Sequence, residues 1–369
     1  MKTVAFVRTT NIYDDSRATK EIMALVEAGY RVEILGWNRN GEAEAKTIDA
    51  FNDYSNIGYH FFNCVLPTGI GIKNIDKLIQ WIRWTKHKLE NIENLCAVHA
   101  CNLDGAFGAY RLCKKRKVPL IYDIYDYYVD SHYIPKIARG CVENLEISII
   151  NYAFATIICT DERREQIKKA KPNRVLVIHN SPDVPAMKVQ EESYDYVYCG
   201  SLCDGRLIKE IIEQYSNHSG LEFAFAGNDK YQCDISKIAD EYANFTYFGT
   251  IPYAKVLEIE SKAKVLSAIY EPTIRNHRLC APNKFYEAIA LGKPIVVCKG
   301  TGIDEIVNRE GIGIVINYDA SEFYHAIAYL LSNNEERLKM GKRGRILYEH
   351  YFRWEKMKNE LINLYECIT

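Results

Sequence analysis

The run Ala281-Pro282-Asn283-Lys284-Phe285-Tyr286-Glu287-Ala288-Ile289-Ala290-Leu291-Gly292-Lys293-Pro294-Ile295-Val296-Val297 decides how the chain is read. Proline suits the first turn of a helix, where its missing N–H would be unpaired anyway, and glycine suits a helix end. The stretch therefore predicts a short helix opened at Pro282, closed at Gly292 and followed by a continuous apolar strand. Lys284 and Glu287 stand three residues apart and share one face near the helix N-terminus. Backbone N–H groups and the helix dipole favour an anion there, such as a diphosphate. Lysine offers phosphate a compact charge, and a carboxylate accepts hydrogen bonds from vicinal ribose hydroxyls. The plainer reading of the same spacing is an exposed Lys–Glu helix pair.

Working outward, Tyr198-Cys199-Gly200-Ser201-Leu202-Cys203-Asp204-Gly205-Arg206 reads as a strand end, a small-residue loop and an arginine entering a helix, a second place to hold phosphate. Cys298-Lys299-Gly300-Thr301-Gly302-Ile303-Asp304-Glu305 is a third, its glycines letting backbone amides approach a ligand. Around these loops strands and helices alternate. Strands are expected at Asp195 to Cys199, Leu221 to Ala226, Phe245 to Phe248, Val265 to Ile269, Pro294 to Val297 and Ile312 to Ile316. The N-terminal half has the same rhythm: strands Thr3 to Val7, Arg31 to Gly36, Ala97 to Ala100, Pro119 to Tyr122, Phe154 to Thr160 and Arg174 to Ile178, with helices from Ser16, up to Lys117 and from Asp161. Such alternation implies parallel sheets with helices on both faces. The pause from Asn180 to Ser193 divides the chain into residues 1–185 and 186–350, two Rossmann-like doubly wound domains facing across a cleft, with 351–369 a helix packing back on the first.

The 369 residues are enough for two domains, and 48% hydrophobic with 26% charged residues is ordinary globular composition. Lys plus Arg number 47 against 48 Asp plus Glu, so no overall field draws the chain to nucleic acid. The twelve cysteines are scattered without a paired Cys-x-x-Cys arrangement, which fits free thiols in a reducing cytosol rather than a metal site. Apolar runs are too short to span a bilayer.

The chain resembles the retaining GT-B glycosyltransferases of the family 4 (group 1) type that build capsular and other bacterial surface polysaccharides. The resemblance is carried by Asp15-Ser16-Arg17-Ala18-Thr19-Lys20-Glu21, Ala28-Gly29-Tyr30-Arg31-Val32, Val177-Ile178-His179-Asn180-Ser181-Pro182-Asp183, Phe248-Gly249-Thr250-Ile251-Pro252-Tyr253 and, most specifically, Pro282-Asn283-Lys284 through Pro294. It implies a UDP- or GDP-type nucleotide-sugar donor as substrate, with no cofactor and no bound metal. Arg206 and Lys284, with Asn283 beside them, would contact the diphosphate, Glu287 the ribose, and Gly302 and Ile303 the phosphates or sugar. Gly200 would line the loop, and Gly227-Asn228 with Ile251-Pro252 would face the nucleobase. The family pairs two glutamates eight apart, but the earlier position here is Leu279; many relatives also carry a His near the reacting carbon where this chain has Tyr125.

On the acceptor side the candidates are Arg17, His99, Asn102 and Asp104, set in loops or at strand ends. Each has a structural alternative: Ser16 capping a helix, with Arg17 a surface charge, or a packed histidine. Asp123 and Asp126 would steady an oxocarbenium-like charge or orient an acceptor hydroxyl, or cap the next helix, and Asp126 is favoured for the catalytic role, together with Tyr125 and Glu287. Residues 72–92 form a basic amphipathic helix with Trp81 and Trp84, suited to peripheral contact with the inner membrane face and a lipid-linked acceptor, or to covering the first sheet. The competing readings are a GT-B nucleotide-sugar epimerase and a decayed transferase acting as a partner protein.

Overall fold

The computed structural model describes residues 1–13, 15–66, 75–184, 191–215 and 220–368. The expected boundary at 185/186, Asp14 and the start of the basic helix at 72–74 lie outside the described residues. The chain forms two compact units, Met1–His179 with Met357–Thr369, and Asn180–Lys356.

In the first unit seven strands, β1 (Thr3–Arg8), β2 (Arg31–Asn38), β3 (Ile57–Asn63), β4 (Leu95–Cys101), β5 (Leu120–Ile124), β6 (Ala155–Ile158) and β7 (Val175–Val177), form a parallel sheet ordered β3-β2-β1-β4-β5-β6-β7. In the second, β8 (Tyr194–Cys199), β9 (Phe223–Ala226), β10 (Phe245–Tyr247), β11 (Ala263–Ala268), β12 (Ile295–Cys298) and β13 (Gly313–Ile316) take the order β10-β9-β8-β11-β12-β13. Both sheets start in the middle and reverse direction once, the Rossmann order. Strands β1, β5, β6, β9 and β12 are buried along their whole length, which is why β9 and β12 read as continuous apolar runs.

Three local expectations are corrected. The helix from Asp161 is only a short 3-10 turn, Asp161–Glu165. The helix Ser16–Glu27 is capped by Asp15, whose carboxylate accepts from the Arg17 and Ala18 amides, so Ser16 is already the first helical residue. Edge strand β3, aromatic and only partly buried, was not expected at all.

The helix Ile75–Glu90 turns its tryptophans inward. Trp81 is fully buried, stacked on Trp37 and Trp84, and its indole N–H donates to the Asp104 carbonyl at 2.9 Å. The apolar stripe therefore covers the first sheet, leaving Ile75 and Ile79 as its exposed large apolar residues.

The helix Lys136–Tyr152 brings Glu146 against β5, where one carboxylate oxygen accepts from the Tyr122 hydroxyl at 2.7 Å and the other has no partner among the described residues. Burial raises this carboxyl from 4.5 to about 7, against the pull of the Tyr122 hydrogen bond. The native state then keeps a proton that the unfolded chain releases, so this group's contribution to stability falls as pH rises from 4.5 to 7 and is level above it. The fall amounts to about 3 kcal/mol. Urea titrations of wild type and Glu146→Gln across that range check it: the glutamine variant should lack this slope, and parallel curves would refute it.

Candidate functional site

In each sheet the direction of winding reverses between two neighbouring strands, and ligands of such folds collect at the carboxyl ends there. In the second unit those strands are β8 and β11. Tyr198 ends up buried near the close of β8, its hydroxyl donating to the Ser201 carbonyl at 2.9 Å, and Tyr270 lies just beyond β11. Arg206 lies over the Tyr270 ring, Cζ 3.6 Å from its centroid, and Lys284 Nζ sits 4.7 Å from the centroid of Tyr198. Burial raises the Tyr270 hydroxyl above its ordinary range while Arg206 and Lys284 both pull it down, so both cations act on one ring.

Neither cation makes an ion pair among the described residues, and Nη1 of Arg206 is buried without a hydrogen-bond partner there. A buried guanidinium nitrogen left without an acceptor is costly, and an anion would satisfy it. The glycines make the room. Gly200, at φ +149°, lies so close to Lys284 that a Cβ would collide with Nζ, and a Cβ on Gly227, at φ +133°, would collide with the Gly200 carbonyl. The loops are tied together by Gly200 N to Ala226 O at 2.9 Å, Gly227 N to Gly249 O at 2.8 Å and the Tyr247 hydroxyl to Gly227 O at 2.7 Å.

Glu287, in the helix Asn283–Ala290, is only 3% exposed. Beside it lies Glu260, of the helix Tyr253–Ser261, a residue the sequence reading passed over. Burial and the neighbouring Glu287 hold the Glu260 carboxyl well above the usual range, against Lys284, and its Oε2 has no partner among the described residues. Pro252 caps that helix start and Asn283 is exposed at the start of its own. Gly302 has φ +81° and Ile303 is buried, while the Gly300 amide donates inward to Asp304 at 2.8 Å and so is already used.

In the first unit the reversal lies between β1 and β4. Arg17 and His99, expected to face an acceptor, are instead buried in a polar cluster. Arg17 donates to both oxygens of Asp123, at 2.7 and 3.3 Å, to the Ile178 carbonyl at 2.6 Å, and lies 3.1 Å from Glu21. His99 meets the Tyr365 hydroxyl at 2.9 Å through Nδ1 and Asp123 at 3.4 Å through Nε2. The correction has an electrostatic reason: carboxylates enclosed at a strand end require a cation inside the protein. Burial opposes the Asp123 charge, but Arg17 and His99 outweigh it and hold the carboxyl below its ordinary value. Burial and Asp123 push Glu21 well above the usual range.

Asn102 has also been assigned structural work: at φ +57° its side-chain oxygen accepts from the Tyr125 and Asp126 amides, at 3.0 and 3.2 Å. Asp104 accepts from the Thr9 hydroxyl at 2.6 Å. Tyr125 donates to Glu21 at 3.1 Å beneath the Arg8 guanidinium, whose Cζ is 3.9 Å from the ring centroid. Arg8, which the sequence reading missed, pairs with Asp15. Asp126, with 45% of its side chain exposed and Arg163 at 3.4 Å, is the most open of these acids, and it caps no helix. His99, Cys101 and Asp123 offer donor atoms within 4.8 Å of one another, but Arg17 already holds the carboxylate and would repel a metal cation.

Residues 206–362 match the family model described as glycosyl transferase-like. Spore coat protein SA of Bacillus subtilis is 31% identical over 98 residues, which is 26% of this chain and 24% of that protein. The chain thus aligns with about a quarter of that relative's length. Sucrose-phosphate synthase from Thermosynechococcus elongatus superposes with a TM-score of 0.75 at 15% identity, covering 100% of this chain and 99% of that one. S. aureus TarM, solved with fondaparinux, alpha-GlcNAc-glycerol and UDP, gives 0.70 at 11% identity over 99% and 100% of the two chains. UDP-GlcNAc 2-epimerase from Neisseria meningitidis gives 0.63 at 11% identity over 100% of both. The fold is accordingly the two-domain Rossmann-like GT-B fold.

Proposed function

We propose that this chain is a glycosyltransferase that moves a sugar from a UDP- or GDP-type nucleotide sugar to a glycan or lipid-linked acceptor during surface polysaccharide synthesis, with retention of configuration. One observation carries the donor half of this reading. Arg206 and Lys284 converge at the carboxyl end of β8 and β11, each on a tyrosine face and neither in an ion pair among the described residues. Two such cations fit a diphosphate leaving group, stabilising the charge that develops as the glycosidic bond breaks. They supply this charge from side chains, so the reaction as proposed runs without a metal ion. Asp126, the open carboxylate after β5, is the residue proposed to orient the acceptor hydroxyl. The matching family segment, residues 206–362, spans Arg206, Lys284 and Glu287 and supports the donor assignment.

The test is thermal stabilisation of the purified protein by UDP, GDP, ADP and their sugars, because a ligand that binds only the folded state raises its melting temperature. One base should give a selective rise that Glu287→Ala diminishes; no rise with any nucleotide would sink the donor reading. Incubating the donor without acceptor separates transfer from epimerisation, since only an epimerase converts the sugar while it remains on the nucleotide. NMR of the first-formed product reads the anomeric outcome, and turnover in EDTA tests the metal-free mechanism.

A further inference from the structure

We propose that Tyr270 and Tyr198 are positioning residues, aromatic shelves that hold Arg206 and Lys284 in their anion-binding places before any ligand arrives. The inference rests on the donor-site reading above and adds to it the residues that preset the site. Arg206 Cζ is 3.6 Å from the centroid of Tyr270, and Lys284 Nζ is 4.7 Å from that of Tyr198. A guanidinium attracts a ring through its flat face and donates hydrogen bonds from its edges. Stacking therefore leaves the edge nitrogens open to an anion, and Nη1 is the edge atom left without a partner among the described residues. Long cationic side chains lose rotamer freedom on binding, so fixing them beforehand raises affinity without adding a contact.

The first unit offers a comparison. Arg8 stacks on Tyr125 at 3.9 Å, but Asp15 pairs with it and neutralises its charge. In the second unit the stack has no carboxylate partner among the described residues, as an anion site requires.

Tyr270 gives the cleaner test, because the Tyr198 hydroxyl also ties down the Ser201 carbonyl. Binding of UDP, GDP, inorganic pyrophosphate, uridine and guanosine is measured by calorimetry for wild type, Tyr270→Phe and Tyr270→Leu. The aromatic face is retained in the first variant and lost in the second. Tyr270→Leu should weaken pyrophosphate and whichever of UDP and GDP binds about tenfold and leave the matching nucleoside unchanged, while Tyr270→Phe binds like wild type. Unchanged pyrophosphate binding by Tyr270→Leu overturns the proposal, as does an equal loss in Tyr270→Phe, which would assign the effect to the hydroxyl. If Tyr270→Leu melts below the assay temperature, Tyr270→Met takes its place. A wild-type protein that binds pyrophosphate but no nucleoside diphosphate would refute the nucleotide-sugar reading while the shelf is still read on pyrophosphate. Binding of neither would overturn both.

Discussion

Replacing Arg17 by methionine should cost the folded protein about 3–5 kcal/mol, the effect of removing one partner from a buried ion pair. The reasoning starts from solvation. Arg17 and Asp123 are 4% and 0% exposed, so neither charge keeps its water. What replaces that water is the two-pronged guanidinium–carboxylate contact, the Ile178 carbonyl and the nearby Cys159 sulfur at 3.3 Å. Methionine fills similar volume but leaves Asp123 ionised with only His99 to meet it, or forces it to take up a proton. The double variant Arg17→Met with Asp123→Leu should recover much of the loss, because an apolar pair of similar volume leaves no charge stranded. Urea denaturation of the two single variants and the double variant checks this. A small loss in Arg17→Met would show that the pair is solvated in solution, and an additive double variant would show that the two residues do not act together.

The sequence made the sheets legible because their central strands are buried on both faces. Val4 to Val7 and Ile295 to Val297 are apolar without interruption, as a parallel strand covered on both faces requires. Strand β3 escaped notice because an edge strand has no such demand: Tyr59, His60 and Phe61 are all only partly buried. At the site, Lys284 and Arg206 were readable because local signals flank them, a proline-opened helix and a glycine loop. Tyr198 and Tyr270 were not, since only the adjacency of β8 and β11 brings residues so distant in sequence together. Glu21 and Glu260 look like ordinary helical surface acids, and nothing in their neighbourhoods signals that both are buried. Arg17 and His99 show the opposite failing. Arg17 in the first turn of a helix and His99 near the end of β4 suggested contact with a ligand, but helix starts and strand ends also gather polar groups that must satisfy one another inside the protein.

Removing either cation of the second unit should have the largest effect on activity. In the donor site proposed above, Arg206 and Lys284 would each form a charge-assisted hydrogen bond to a diphosphate that gains negative charge as its bond to the sugar breaks. Arg206→Ala and Lys284→Ala should each lower kcat/KM for the nucleotide sugar about 100- to 1000-fold, with a smaller loss in UDP affinity, because the contact strengthens in the transition state. Stability should change little or rise, since a half-buried cation with no ion-pair partner among the described residues costs the unliganded protein free energy. The conservative exchanges are not equivalent. Lys284→Arg must fit a broader head where Nζ already lies close against Gly200, so it should rescue poorly. Arg206→Lys keeps the charge but loses the flat face that rests on Tyr270 at 3.6 Å, and should recover only part of the loss. Steady-state kinetics with parallel melting curves decide the matter. Variants that melt like wild type and turn over at the wild-type rate would remove both residues from the donor site, whereas lost turnover in a stable protein fixes the leaving diphosphate between them.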